Sequence, residues 1–244
     1  MIDLSIRYQV AIFGSFEDIS PKPDTLKYFI DSFSDKELIP VTAQEINLLN
    51  PTNPINRLSL KSTDEVWSIE FSSSRIDIIK SNKDVGVVDM NTLDIFLEEA
   101  KKIVDVINTR FPKKFNRLSL VTRYLLPEMT KDSIAAIFHK NCNTINFFKE
   151  YEPVEWKNRV VTRIPITIQD EENINVISEI NRIIGNLKIN SQNQEIDRVE
   201  LKFDINTFQG STEFRFTITE LIKFLDFALS LESDLKDQYE KMLN

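Results

Sequence analysis

Leu4-Ser5-Ile6-Arg7-Tyr8-Gln9-Val10-Ala11-Ile12 places apolar side chains at the even positions and polar or small ones at the odd positions. A period of two is the mark of a strand with one buried face, because successive side chains leave the backbone on opposite sides. The alternation returns at Val160 to Ile168 and at Val199 to Ile205, and strands also read at Leu38 to Asn47 and at Arg117 to Leu126, where Pro127 ends the run. Asn56 to Lys80 holds two or three more, including Val66 to Phe71 and Arg75 to Ile79, with Ser72, Ser73 and Ser74 as the turn of an antiparallel meander.

Helical patterns interrupt these strands. Pro21 and Pro23 precede Leu26, Phe29, Ile30 and Phe33, whose spacing makes one apolar face. Leu93, Phe96, Leu97, Ala100, Ile103, Val104, Ile107 and Phe111 trace a longer stripe, with Asn91 as its cap and Pro112 as its stop. Thr130 to Lys140 reads as a short helix, and Ile174 to Leu187 as a helix ending at Gly185 or Asn186. The aromatic stretch Phe147 to Trp156 fits neither period. Thr217 and Glu220, at capping-box spacing, open a long C-terminal helix that carries Leu221, Phe224, Ala228, Leu231, Leu235 and Met242 on heptad spacing.

The expected architecture is α+β: a mostly antiparallel sheet, helices on one face and a long C-terminal helix. No run of Gly, Ser or charge divides the chain, so residues 1–244 read as a single domain. Asn56-Arg57-Leu58-Ser59-Leu60 recurs as Asn116-Arg117-Leu118-Ser119-Leu120. This recurrence suggests two related βαβ-type halves, 1–112 and 113–244; the other reading is two similar amphipathic strands.

Composition narrows the chemistry. Only four glycines occur in 244 residues, at 14, 86, 185 and 210, so no glycine-rich phosphate loop of the Rossmann, P-loop or kinase kind can form. One histidine and one cysteine rule out a structural zinc site and a disulfide framework by counting. The net charge of −8 argues against general nucleic-acid binding, although a local basic face is compatible with it. The N-terminus lacks the pattern of a secretory signal, and the richest apolar stretch, Ile218 to Leu231, is interrupted by Glu220, Lys223 and Asp226, so a membrane role is not expected. The lone cysteine is most simply a cytoplasmic thiol.

Four groups of residues are candidates for function. Glu200 and Lys202 share a strand face, as the acid and lysine of a metal-dependent nuclease do; Mg²⁺ and an upstream acid, Asp170 or Glu171, would complete that site. The other reading is an ordinary solvated face. His139 and Cys142 lie three apart, the reach of a thiol and its base, with Asn141 or Asn143 as the only polar neighbour to orient them. Arg117 with Arg123, and Arg159 with Arg163, share faces by parity and would form an anion-binding patch if their strands were neighbours. Leu231, Leu235, Tyr239 and Met242 make a narrow seam suited to a partner helix or to self-association.

The order strand, helix, strand, hairpin, helix, followed by Arg117-Leu118-Ser119-Leu120-Val121-Thr122-Arg123-Tyr124 and later by the Asp-containing strand Leu201 to Ile205, resembles a sporadically distributed bacterial family of α+β proteins. Leu125 and Leu126 stand where that family's pattern has a polar residue. The resemblance implies the fold and no activity, cofactor or site. The expectation is a non-catalytic cytosolic binding or regulatory protein acting through protein contacts, with bacterial defence or toxin control as a setting, no cofactor, and nucleic acid not favoured. The alternative is the metal-dependent nuclease, or another phosphate-handling enzyme, built on Glu200, Lys202 and an upstream acid.

Overall fold

The alternating segment at the N-terminus becomes the middle of one large sheet. The computed structural model describes residues 3–47, 50–142 and 145–243. β1 (Leu4–Phe13) leads through α1 (Pro23–Ser32) to a meander of β2 (Leu38–Asn47), β3 (Asn50–Ser62), β4 (Trp67–Phe71) and β5 (Arg75–Ser81), and then to α2 (Leu93–Arg110). β6 (Arg117–Leu125) leads through α3 (Lys131–Asn141) and α4 (Asn146–Glu150) to β7 (Lys157–Thr167), β8 (Glu171–Ile189) and β9 (Gln192–Thr207), and then to α5 (Ile218–Leu243). The sheet has nine strands in the order β2-β3-β4-β5-β1-β6-β9-β8-β7, and every pairing is antiparallel.

Even-numbered side chains of β1, β6 and β5 face the helices. Tyr8, Val10, Ile12, Leu118, Leu120, Ile76 and Ile78 are buried there with Leu201's neighbours Val199, Phe203 and Ile205 of β9. α1, α2 and α5 seal this face: Phe29 lies 5.5 Å from Phe71, Phe96 lies 5.5 Å from Tyr8 and Tyr239 lies 5.7 Å from Phe203, ring centre to ring centre. α3 joins the same core through Phe138, 5.6 Å from Trp156. Among the described residues no helix is long and apolar enough to cross a membrane.

Two local expectations are corrected. Thr92, without a side-chain cap bond, occupies the position before α2, while Asn91 stands outside the helix in a left-handed conformation at φ 53°. Ile174 to Leu187 is not a helix but most of β8, a strand of 19 residues paired with β7 on one side and β9 on the other. Asn190 and Ser191, both at positive φ, form the tight turn that folds β8 back onto β9. Gly185 is therefore no helix stop. It pairs with Ile196 within the ladder, and a Cβ there would meet nothing within 4 Å. Gly185→Thr should stabilise the chain by about 0.5–1 kcal/mol, since glycine costs entropy in a strand and threonine favours one. A helix-terminating glycine would give the opposite sign, so the shift of the urea midpoint decides between them.

The two chain halves repeat one plan of strand, helix, meander and long helix. The regular β1–β6 ladder runs from Arg7↔Arg123 to Phe13↔Arg117, and its centre is Val10↔Leu120. A half-turn about that centre exchanges β1 with β6, β5 with β9, β4 with β8 and β3 with β7, leaving β2 as an added edge strand. Following the register outward, Ser59–Glu70–Asp77 on one side corresponds to Val161–Ile177–Asp204 on the other. Asn56-Arg57-Leu58-Ser59-Leu60 therefore corresponds to Asn158-Arg159-Val160-Val161-Thr162. The identical pentapeptide at Asn116 to Leu120 lies instead in β6 and corresponds to Ile6 to Val10 in β1. Pro40 lies in β2 and Pro165 in β7, the two outermost strands, where a missing N–H breaks no ladder bond.

Candidate anion-binding face of the sheet

Helix packing on the even side of β1 leaves the odd side open, and there the sheet carries charge. One row crosses five strands through directly paired residues: Arg7 of β1, Arg123 of β6, Lys202 of β9, Glu179 of β8 and Arg159 of β7. Four cations and one carboxylate thus share a row within a chain whose net charge is −8. Like charges directly opposite each other destabilise a sheet, and Arg7, Arg123 and Lys202 are three in succession.

Carboxylates neutralise part of this row. Arg123 Nε donates to Glu200 at 2.7 Å, and Glu179 accepts from Arg159 at 3.0 Å, Lys157 at 2.7 Å and Lys202 at 3.4 Å. Burial by itself would raise the Glu179 carboxyl, but Lys157 and Lys202 hold it below the ordinary carboxylate range. Arg7 differs. Among the described residues it has no hydrogen bond or ion pair, and its buried Nε has no partner. Burial, with the repulsion of Arg123 and Arg75, draws its pKa below the usual arginine value against the longer-range attraction of Glu70 and Asp77, which still leaves it charged at neutral pH. Arg117 has the same defect: its buried Nε has no partner, its one hydrogen bond among the described residues runs from Nη1 to Gln209 at 3.1 Å, and burial lowers its pKa against the attraction of Asp204. Together with Arg75 it covers the ring of Phe13, at 4.8 and 4.9 Å from the centroid.

Between these arginines two aspartates are held alike. Asp77 accepts from Gln9 at 2.6 Å and Asp204 accepts from Ser119 at 3.0 Å. A groove of about 480 Å³ lies over the charged row, lined by Arg7, Arg123, Lys157, Lys202, Glu179 and Glu200 among others. A second, of about 430 Å³, lies over β2 to β5, and Arg75 lines both.

Glu200 and Lys202 do share a face, as parity requires, but Asp170 lies in the β7–β8 turn. From the β8 position paired with Glu200, Asn181, that turn is about ten residues distant, or roughly 33 Å along an extended strand. The set of Glu200, Lys202 and an upstream acid is therefore not assembled, Glu200 and Lys202 are engaged by Arg123 and Glu179, and no group of three His, Cys, Asp or Glu among the described residues is placed to hold a metal.

Arg117, Arg123, Arg159 and Arg163 all reach the open face, yet their strands are not neighbours. β9 and β8 stand between β6 and β7, so the four spread across the sheet rather than forming one patch. Arg163 lies 3.6 Å over the ring of Phe208 and donates to Asn175 at 3.0 Å.

His139 Nε2 lies 3.4 Å from Glu152, while Cys142 lies just past the end of α3, where burial raises its thiol pKa, opposite to what a nucleophile needs. Asn141 donates to the carbonyl of Ile137 at 2.8 Å, and Asn143 lies outside the described residues. The C-terminal seam is occupied by the chain's own sheet: Leu231, Leu235 and Tyr239 pack on the core, and Tyr239 Oη donates to Ser178 at 2.7 Å. The seam is narrow because α5 touches the sheet along one row there. Met242, half-buried at the helix end, offers its carbonyl to Lys140.

Sequence reasoning missed Arg7, whose importance depends on what lies opposite it, and Lys80. Lys80 is buried at the floor of a cleft of about 740 Å³ beside Trp67 and donates to the carbonyl of Met90 at 3.0 Å. Comparison with protein-family models, with curated proteins and with solved structures finds no match.

Proposed function

We propose that the chain is a non-catalytic binding protein and that the open face of its sheet docks a partner protein through acidic side chains. The observation that supports this most directly is the pair of half-buried guanidinium groups at Arg7 and Arg117, neither of them hydrogen-bonded to a carboxylate among the described residues. Both lie on a face enriched in cations, in a chain that is acidic as a whole. Arginine meets a carboxylate through a two-pronged fork, and burial strengthens that attraction.

A polypeptide suits this face better than nucleic acid. Phe13 and Phe208 lie under guanidinium groups instead of offering free rings for base stacking. A reducing compartment such as the cytosol suits the free Cys142.

Arg117 and Arg163 allow a clean test, because their hydrogen bonds go to the amides Gln209 and Asn175 and their removal orphans no carboxylate. Wild-type protein should bind poly-L-glutamate at low ionic strength, more weakly as salt rises. Arg117→Gln with Arg163→Gln should weaken that binding at least tenfold without lowering the melting temperature. Equal binding by the variant, or no binding by the wild type, would overturn the reading.

A further inference from the structure

The internal half-turn relates charges as well as strands. It exchanges Arg7 with Arg117, both with a buried unpartnered Nε. Gln9 is exchanged with Ser119, the donors to the two aspartates, and Asp77, opposite Ala11, with Asp204, opposite Val121. Arg75, opposite Phe13, is exchanged with Lys202, opposite Arg123. One strand pair farther out, Arg57 corresponds to Arg159 and Lys61 to Arg163. Retaining strand order needs only apolar alternation on the helix side. Retaining charge at these positions of the open side, two of them arginines whose buried Nε has no partner, is not required by packing.

We infer that the open face holds two equivalent carboxylate-binding positions, one at Arg7 and one at Arg117, and that a single acidic segment of the partner engages both. This rests on the reading above and deepens it. Arg7 and Arg117 lie at opposite ends of the β1–β6 ladder, six residues apart along β1, or roughly 20 Å. An extended acidic peptide covers that distance in about six or seven residues. Once one carboxylate is bound at the first position, the second binding step is intramolecular, so affinity rises steeply when the segment is long enough and hardly at all before.

Oligo-L-glutamates of three to ten residues, measured by calorimetry on the full chain at low salt, test this. The expected result is a step of about 100-fold in affinity between the trimer and the octamer. Arg7→Gln alone, or Arg117→Gln alone, should return the octamer to within a few-fold of the trimer, and the second substitution should add little. Arg7→Gln should leave the melting temperature unchanged or raise it, since it removes a desolvated charge facing Arg123; a merely structural arginine would lower it.

A smooth gain with length and additive effects of the two variants would overturn the two-position inference while leaving the acidic-partner reading in place. Failure of every oligoglutamate and of polyglutamate to bind would overturn both. Tighter binding of an oligothymidylate of equal charge than of the octaglutamate would overturn the assignment to an acidic polypeptide.

Discussion

Phe203→Ala should cost the chain about 3–5 kcal/mol, the range for deleting a large aromatic side chain from a packed core. Phe203 is 0% exposed in the C-terminal half of β9, between the ring of Tyr124 at 6.5 Å and that of Tyr239 at 5.7 Å. No side chain from the open face can move in to fill the space, because the sheet backbone lies between. The loss should therefore show as a lower denaturant midpoint, while polyglutamate binding, measured well below the melting temperature, stays the same. A cost under 1 kcal/mol would mean that α5 does not pack on β9 as described.

Glu232 gives the second large effect, with the opposite sign. It is 3% exposed on the inner side of α5, accepting from Tyr124 Oη at 2.5 Å and from Thr122 Oγ1 at 3.3 Å. Burial raises its pKa above the ordinary 4.5, although Tyr124, Lys236 and Thr122 pull the other way. The folded protein thus binds this proton more tightly than the unfolded chain does. The stabilising contribution is complete below pH 4.5 and is lost as pH rises through the higher folded value.

Glu232→Gln keeps the acceptor for Tyr124 and removes the buried charge. The variant should match the wild type near pH 4 and exceed it by about 1–3 kcal/mol at pH 7, the scale of an uncompensated buried polar group. Melting temperatures of the two proteins across that range provide the check. A difference independent of pH would show that Glu232 does not titrate between them.

The antiparallel sheet could be read from Leu4 to Ile12 because burial on one side only forces period two. Ile174 to Leu187 misled for a physical reason. Ile174, Ile177, Ile180, Ile184 and Leu187 recur every three or four residues, as on a helix, yet residues 174–181 lie between two partner strands and residues 182–187 continue the ladder with β9. Its isoleucines also favour strand over helix, a preference that spacing alone does not register.

The candidate face was legible in its parities and illegible in its neighbours. Arg117, Arg123, Arg159 and Arg163 could be assigned to strand faces from their spacing, but strand order is a tertiary property. For that reason β9 and β8, with Lys202 and Glu179, between the two arginine pairs could not be foreseen. Arg7 carries no local signal at all, since its unpartnered Nε depends on Arg123 and on strands far away in the chain. The half-turn was hidden for a similar cause: Asn56-Arg57 and Asn158-Arg159 share two residues and a pattern, less than the chance-prone pentapeptide that drew attention to β6.

The prolines at the margins of the sheet have a consequence beyond the ladder bonds they spare. A nine-stranded sheet with two bare edges would be a template for lateral growth, each molecule adding its outer strand to the next. Pro40 at one margin and Pro165 at the other each remove a donor from the row that an incoming strand would need. Recruitment by strand addition is thereby discouraged at both ends, and a partner is directed to the broad charged surface between them.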